Sequence, residues 1–300
     1  MTKSIIIGSN GYIGHNLTYY LRSLNEEVYC FDIQVKSIVD SDHYSQLDIT
    51  DHKSVGELDL NVDFIYFFAG MTGTSQGFDS YSKYIEVNEK GLLNILTRMK
   101  ESGSTARIVF PSTRLVYKGQ QNVLLKEDAE KAPNTIYALN KLACEYMLAM
   151  YQKAFGIHYT IFRICVPYGS LIKSGTAYGT LGFFLQKAKN QQNIELYGDG
   201  LLRRTFTHVF DICSKIHSAI QYVESDGKTY NIGGENLSLL DVASEIAKKH
   251  GVHVSFTQWP KLTLRIESGD TIFNSENLDE LLLESTYYNF IEWCKCLDLE

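Results

Sequence analysis

The sequence has no long apolar run, no excess of positive charge and no paired cysteine motif, and each absence excludes a class of protein. No stretch approaches the roughly 18 apolar residues of a membrane-spanning helix. The 300 residues carry a formal net charge of −7, which argues against a nucleic-acid-binding surface. The six cysteines are scattered, and Cys294 and Cys296 lack the second ligand pair of a zinc site, so we expect reduced thiols and no metal. The first residues show no signal-peptide pattern, so we expect the chain to be cytoplasmic.

The first residues combine an apolar strand, a glycine-rich turn and the start of a helix. Ile5–Ile7 form the apolar run, and a helical apolar pattern extends from Tyr12 to Leu24. Between them three glycines recur at three-residue spacing: Gly8, Gly11 and Gly14. Glycines let a pyrophosphate approach the main chain, and a helix N-terminus offers free N–H groups and partial positive charge. The pattern predicts a dinucleotide site, with a simple strand-to-helix turn as the alternative.

The second predicted strand, Glu27–Asp32, ends in an acidic residue. Asp32 lies 18 residues after Gly14, and its carboxylate could accept both hydroxyls of a ribose. No arginine follows it closely, and the nearest base is Lys36. A 2′-phosphate would therefore meet an unpaired carboxylate, so the sequence favours NAD over NADP.

Strands and helices alternate through the first half of the chain, which predicts an α/β fold with a Rossmann-type, doubly wound parallel sheet. The predicted strands are Lys3–Gly8, Glu27–Asp32, a weaker one ending near Asp48, Asp63–Gly70, Ala106–Thr113 and His158–Cys165. The predicted helices are 12–24, 80–101 and 135–154.

After Pro167 the pattern becomes less regular, beginning with the polar, glycine-bearing stretch Ser170–Gly182. The elements predicted there are a helix at Phe183–Asn190, strands at Asn193–Tyr197 and Thr229–Gly234, and helices at 238–250 and 276–284. We therefore predict an NAD-binding domain over 1–167, to which 209–235 returns, and a smaller, mainly substrate-binding lobe over 168–300.

Tyr137 and Lys141 lie one turn apart on the predicted helix 135–154. An ammonium group near a phenol favours phenolate, which makes tyrosine a usable base near neutral pH. The spacing alone is uninformative in a chain with 20 tyrosines, but the pair follows a strand that ends at Thr113. Open α/β sheets bind ligands at such strand ends. The Thr113 hydroxyl could bind a substrate oxygen, or only complete a turn.

Short motifs follow one another along almost the whole chain. They are Gly8-x-x-Gly11-x-x-Gly14, Asp32, Asp48-Ile49, Phe68-Ala69-Gly70, Val87-Asn88-x-x-Gly91, Ser112-Thr113-x-x-Val116-Tyr117, Tyr137-x-x-x-Lys141, Arg163, Pro167-Tyr168-Gly169, Tyr197-Gly198-Asp199-Gly200, Arg204-Thr205-Phe206-Thr207-His208-Val209 and Tyr230-Asn231-Ile232-Gly233-Gly234. In their order and spacing they resemble the extended short-chain dehydrogenase/reductase family of NAD-dependent nucleotide-sugar epimerases and dehydratases, in particular UDP-glucose 4-epimerase-like enzymes.

The resemblance implies three groups of NAD-binding residues. One group would line the pyrophosphate: Gly8, Gly11, Tyr12, Ile13 and Gly14. A second would surround the adenosine: Asp32, Asp48 and Ile49. A third would line the inner cofactor site: Phe68, Ala69, Gly70 and Asn88.

The resemblance also implies the catalytic and substrate-binding roles. Tyr137 would be the base, Lys141 would hold the nicotinamide ribose and lower the pKa of Tyr137, and Thr113 would bind the reacting oxygen. Arg204 would meet the substrate diphosphate, because a guanidinium matches phosphate geometry. A solvated arginine beside Arg203 is the alternative.

The chain departs from the family pattern at three places. Family 4,6-dehydratases carry an acid pair directly after the active-site threonine, where this chain has Arg114 and Leu115, so we predict no 4,6-dehydration. Arg114 is either a surface residue or a contact to an acidic sugar substituent. Val166 stands where asparagine is usual, and Glu267 where arginine is usual.

The leading functional hypothesis is NAD-dependent epimerisation of a nucleotide sugar, a UDP-sugar at C4, through a transient 4-keto intermediate. A nucleotide-sugar dehydrogenase or 4-keto reductase with the same residues is the first alternative, and a non-catalytic binding protein is the second. The partners would be a nucleotide sugar, with no nucleic acid or membrane, and a second copy of the chain. By resemblance, the helices near 85–100 and 135–154 would form the dimer contact. Their apolar residues are Leu92, Leu93, Ile95, Leu96, Met99, Leu142, Tyr146, Met147 and Met150.

Overall fold

The computed structural model describes residues 2–39, 41, 43–172 and 178–297. Its strands are β1 Lys3–Ile7, β2 Glu27–Asp32, β3 Tyr44–Gln46, β4 Phe64–Phe67, β5 Arg107–Thr113, β6 Leu124–Leu125, β7 Tyr159–Ile164, β8 Val166–Tyr168, β9 Ile194–Tyr197, β10 Arg203–His208, β11 Lys228–Asn231, β12 Glu235–Ser238, β13 Val254–Thr257 and β14 Ile272–Phe273. Its helices are α1 Tyr12–Ser23, α2 His52–Gly56, α3 Gln76–Asp79, α4 Tyr81–Tyr84, α5 Gly91–Ser102, α6 Ile136–Phe155, α7 Gly179–Lys189, α8 Val209–Ile220, α9 Leu239–His250, α10 Lys261–Ile266, α11 Glu276–Leu282 and α12 Phe290–Cys296.

Seven strands form one parallel sheet in the order β11-β7-β5-β4-β1-β2-β3. From β1 the chain proceeds outward through β2 and β3, then returns to β4 on the other side of β1 and proceeds outward again. The strand order therefore reverses between β1 and β4. In open α/β sheets, the carboxyl ends of the strands at this reversal form the ligand crevice.

Helices cover both faces of the sheet, because its strands are apolar on both sides. On one face α5 and α6 pack on the sheet through Leu92, Ile95, Leu96 and Leu148. On the other face α1, α8 and α11 form a second core: Leu17, Leu21, Ile212, Ile216 and Leu278. The predicted α/β class and doubly wound parallel sheet are confirmed.

A second region follows β7 and has its own core. In a three-stranded sheet β10 pairs with β8 in parallel and with β12 in antiparallel fashion, while β9 and β13 form a separate parallel pair. Its core includes Phe184, Phe206, Ile246 and Trp293. Between these elements α8 and β11 return to the large sheet.

Several elements differ from the sequence-based expectations. The predicted helix 80–101 is divided by the π-helical segment Ile85–Lys90. The strand β10 is absent from the prediction because Arg204, Thr205 and Thr207 are polar residues that the fold buries. α8 is also absent, although its apolar residues have helical spacing. Part of the predicted stretch Ser170–Gly182, residues 173–177, lies outside the described residues.

The apolar residues assigned to a dimer contact are mostly core residues. Leu92, Ile95, Leu96, Met99 and Leu142 are buried within the subunit. Of the expected contact residues, Tyr146 and Met150 of α6 are exposed, as are Leu139 and Phe155 on the same helix. No helix in the described part of the chain has the length and hydropathy needed to cross a bilayer.

Candidate active site

The turn after β1 requires glycine for two separate reasons. Gly8 has φ +90°, and a Cβ there would lie 2.4 Å from the backbone nitrogen of Ala69. A Cβ on Gly14 would lie 2.1 Å from the Gly8 carbonyl oxygen. The first contact brings the β1 turn against the loop after β4, and the second packs α1 onto the turn. Gly8 and Ala69 thus shape the crevice through their backbones.

The N-terminus of α1 is built to receive an anion. Its N-cap residue, Gly11, is exposed and provides no side-chain cap, and the first turn contains no acidic residue. The N–H groups of this turn and the helix dipole therefore remain available for a ligand. These features fit the pyrophosphate of a dinucleotide.

Asp32 ends β2 in a fixed orientation beside the glycine turn. Its Oδ2 accepts the backbone N–H of Asn10 at 3.0 Å, and its Oδ1 accepts that of Gln34 at 3.1 Å. The Asn10 amide donates to the carbonyl oxygen of Lys36 at 2.8 Å and accepts from the N–H of Ile38 at 2.9 Å. Asn10, which is not among the residues expected from the sequence, thus ties the loop after β2 to the glycine turn.

The two residues assigned to the adenine occupy different environments. Asp48 is exposed and accepts hydrogen bonds from both the N–H and the hydroxyl of Thr50. Ile49 is buried in the core, where its side chain packs so closely on Gly91 that a Cβ there would lie 2.5 Å from Ile49 Cδ1. Their adenine contacts stay a prediction, and Ile49 has a structural role of its own.

Asn88 lies in the π-helical segment and positions the loop after β4. Its Oδ1 accepts the N–H of Met71 at 2.7 Å, and its Nδ2 donates to the Met71 carbonyl at 3.1 Å. Asn88 is 3% exposed, and its Oδ1 would lie 3.0 Å from a Cβ placed on Gly70. π-Helical turns often occur at functional sites because they redirect a side chain. Here the redirected amide holds Gly70 and Met71 at the crevice.

A cavity of about 390 Å³ joins the glycine turn to the carboxyl ends of β4 and β5. The predicted site residues that line it are Gly11, Tyr12, Ile13, Gly14, Phe68, Gly70, Thr113, Tyr137 and Lys141. The other predicted site residues do not belong to the part of the cavity wall that the structure describes: Gly8, Asp32, Asp48, Ile49, Ala69, Asn88 and Arg204. The cavity therefore brings the predicted base, lysine and threonine together with the pyrophosphate turn.

Tyr137 and Thr113 both line the cavity wall. Thr135 caps α6 by accepting the N–H of Ala138 at 3.1 Å, which places Tyr137 in the first turn. Desolvation and the neighbouring Tyr178 raise the pKa of the Tyr137 hydroxyl, whereas the Thr113 side chain opposes that rise. The net effect is a raised pKa of Tyr137, whereas the resemblance implies that Lys141 lowers this pKa.

Lys141 lies one turn further along α6 and is buried. Its Nζ donates to the Pro111 carbonyl at 2.7 Å and lies 4.3 Å from the centre of the Phe110 ring. Desolvation lowers the pKa of Lys141 to about 8, although Cys144 and Glu145 oppose the change. The ammonium group is thus anchored to β5, two residues before Thr113.

A buried ion pair supports the same strand end. The Arg163 guanidinium donates to Glu145 at 3.0 Å from Nε and at 2.6 Å from Nη2, and Ser112 also donates to Glu145. The Nη1 of Arg163 donates to the Tyr117 hydroxyl at 2.6 Å. Because Ser112 precedes Thr113, this network fixes the end of β5. Glu145 is not among the residues expected from the sequence, although an acid four residues after Lys141 in an apolar helix is a usable signal.

Two neighbouring arginines, Arg114 in the cavity wall and Arg204 outside it, differ in their partners. Arg204 is 2% exposed, and its Nη2 donates to Glu267 at 2.6 Å, while Nη1 donates to the Gly269 carbonyl at 2.5 Å. Desolvation and the nearby Arg114 lower the pKa of Arg204 to about 10. Arg114 lines the cavity, and its Nη1 donates to the hydroxyls of Ser268 at 3.1 Å and Thr271 at 3.2 Å.

The fold and the site define an NAD-dependent enzyme with a Rossmann-type sheet. A glycine turn, an open helix N-terminus and a tyrosine–lysine helix meet at the reversal of its strand order. The chain belongs to the NAD dependent epimerase/dehydratase family, whose model matches residues 4–233. The described residues contain no group of three or more His, Cys, Asp or Glu placed to hold a metal ion.

The chain is similar to proteins whose names give different substrates and different epimerised carbons. The chain is 25% identical over 278 residues to UDP-glucose 4-epimerase from Lacticaseibacillus casei, covering 85% of this chain and 84% of that protein. It is also 25% identical over 295 residues to CDP-paratose 2-epimerase from Salmonella typhi, covering 86% and 87%. Among solved structures, UDP-glucose 4-epimerase of Thermus thermophilus in complex with NAD has a TM-score of 0.85 and 18% identity, covering 98% of this chain and 99% of that one.

Proposed function

We propose that this enzyme epimerises a nucleotide sugar, a UDP-sugar at C4, through a transient 4-keto sugar. The observation that carries the proposal is that Thr113, Tyr137 and Lys141 line one cavity together with the glycine turn. A threonine hydroxyl can hold a sugar oxygen by a hydrogen bond while a nearby tyrosine removes the proton from that oxygen. The name of the Lacticaseibacillus relative supports UDP and C4, whereas that of the Salmonella relative makes CDP and C2 the comparison to test.

Each polar side chain has a defined task in this proposal. Tyr137 takes the proton of the reacting hydroxyl, Thr113 holds the same oxygen, and Lys141 orients the cofactor ribose. Bound NAD supplies a reversible hydride acceptor, so epimerisation consumes no cofactor. Tyr137 then returns the proton to the oxygen of the inverted centre. Arg114 and Leu115, which line the cavity next to Thr113, provide no acid–base pair for 4,6-dehydration.

Product analysis across a nucleotide-sugar panel tests the proposal. Mass spectrometry first identifies any ligand that copurifies, and NAD-loaded enzyme is then incubated with UDP-, CDP- and dTDP-sugars. Conversion of a UDP-hexose into its C4 epimer without net NADH is the expected result. Stoichiometric NADH would show a dehydrogenase, and a 4-keto-6-deoxy product would show a dehydratase. Tight binding without turnover on the whole panel would favour the non-catalytic alternative.

We also propose that the enzyme is a homodimer that pairs through α6. Leu139, Tyr146 and Met150 are 51%, 61% and 58% exposed and recur at helical spacing, so they form an apolar stripe on one face. In the dimer, α6 of a second subunit would cover this stripe and remove its apolar side chains from water. The cytoplasmic location expected from the sequence stays a prediction.

A further inference from the structure

Two neighbouring arginines, Arg204 and Arg114, differ in whether a carboxylate neutralises their charge. Arg204 forms an ion pair with Glu267 at 2.6 Å and also donates to two backbone carbonyls, those of Arg203 and Gly269. Its guanidinium is thereby occupied by the protein itself. Because the Arg204 side chain is only 3% exposed, a substrate diphosphate would have to displace Glu267 to reach it.

Arg114 has the opposite arrangement. It lines the cavity directly after Thr113, and within the described residues no carboxylate lies within ion-pair distance of it. Its two hydrogen bonds both come from Nη1 and go to hydroxyl groups, those of Ser268 and Thr271. A guanidinium has five N–H donors, so Nε and Nη2 retain donors for a ligand.

The neighbouring charges support this asymmetry. Arg114 lowers the pKa of Arg204, so the two guanidinium groups lie close enough to repel each other. The Glu267 carboxylate that offsets this repulsion contacts Arg204 and the N–H of Gly269, and Asp270 accepts the N–H of Arg203 at 2.9 Å. The nearby acids are therefore committed to partners other than Arg114.

We propose that Arg114 is a substrate-specificity residue that binds an oxyanion of the substrate, and that Arg204 is a structural ion-pair partner of Glu267. The proposal rests on the nucleotide-sugar function proposed above and extends it. Phosphate and carboxylate both match the two-pronged geometry of a guanidinium. The oxyanion is either the diphosphate or a carboxylate on the sugar, and binding measurements separate these two sources.

The test compares wild-type enzyme with Arg114→Gln and Arg114→Lys, all loaded with NAD⁺. Isothermal titration calorimetry measures the affinity for UDP, UDP-glucose and UDP-glucuronate. We expect Arg114→Gln to bind at least one of these ligands about tenfold or more weakly, with a smaller loss for Arg114→Lys, which keeps the charge but not the fork. A loss on all three ligands identifies the diphosphate. A loss confined to UDP-glucuronate identifies a sugar carboxylate.

Two controls keep the test decisive. Lys53→Gln removes one positive charge from the exposed start of α2, so it measures the effect of net charge alone. Thermal unfolding with bound NAD⁺ establishes that each variant is folded. If Arg114→Gln does not fold, Arg114→Lys is used in its place. If the folded Arg114 variants bind every ligand as tightly as Lys53→Gln does, the proposal is wrong.

A nucleotide-free measurement separates this proposal from the proposed function. Inorganic pyrophosphate and glucuronate are titrated into the NAD⁺-loaded proteins while the arginine Nε–H signals are followed by NMR. The Arg114 signal, identified by its loss in Arg114→Lys, is expected to shift with one of the two anions. If wild-type enzyme binds no UDP ligand but this signal shifts, the UDP-sugar function fails and the anion site stands. If the signal does not respond to either anion, the role of Arg114 is refuted.

Discussion

Replacement of Glu145 by glutamine should destabilise the enzyme strongly, because it leaves a buried charge without its partner. The Arg163 and Glu145 side chains are only 5% and 7% exposed and lie 2.6 Å apart. Removal of one member of such a pair costs about 3–5 kcal/mol. Arg163 retains the Tyr117 hydroxyl and the Glu127 carbonyl at 2.6 and 2.7 Å, so we expect the lower end of that range.

Thermal unfolding at a fixed saturating NAD⁺ concentration measures this loss. At roughly 2–4 °C per kcal/mol for a domain of comparable size, the melting temperature of Glu145→Gln should fall by roughly 6 °C or more. The control is Glu130→Gln, which breaks an exposed pair with Lys118 at 3.0 Å and should cost less than about 1 kcal/mol. The double variant Glu145→Gln/Arg163→Met should be more stable than Glu145→Gln alone, because it no longer buries an unpaired charge. Equal melting temperatures for Glu145→Gln and the control Glu130→Gln would refute the reasoning.

Four further outcomes concern function and assembly. Tyr137→Phe should bind NAD⁺ normally but turn over at least ~10²-fold more slowly, and near-normal steady-state turnover would exclude Tyr137 as the base. Lys141→Met should weaken NAD⁺ binding as well as turnover, and unchanged affinity in a cofactor titration would contradict its ribose contact. Stripped wild-type enzyme should bind NAD⁺ more tightly than NADP⁺, because the Asp32 carboxylate that we expect at the adenosine ribose would repel a 2′-phosphate; equal affinities would disprove that selectivity. Tyr146→Glu should yield a monomer by light scattering where the wild type is a dimer, and a monomeric wild type would exclude the homodimer.

Local patterns predicted the parts of the fold that depend on short stretches of chain. The apolar runs of β1, β2, β4, β5 and β7 lie where the sequence predicts strands, because parallel strands buried on both faces are continuously apolar. The glycine turn was predictable because Gly8 has no substitute at φ +90° with the Ala69 backbone 2.4 Å from its Cβ position. The π-helical segment around Asn88 was not, since it leaves the apolar spacing of its helix almost unchanged.

The partners of charged side chains could not be predicted from neighbouring residues. The motif around Arg204 predicts a contact with a substrate diphosphate, yet Glu267, 63 positions later, forms an ion pair with it. Glu145 and Arg163 meet because α6 packs against β7, and that contact has no local signal. The same holds for Asn10, which acts on a loop 26 residues away.

The sequence by itself therefore determined strands β1, β2, β4, β5 and β7, the glycine turn, the tyrosine–lysine helix and the cofactor class, because these depend on side-chain periodicity and on contacts within a few residues. The tertiary structure alone decided which side chains share the cavity, that Arg204 faces Glu267, and that Arg114 retains donors for a ligand. These outcomes depend on distances between segments far apart in the chain, and only the closed fold fixes such distances.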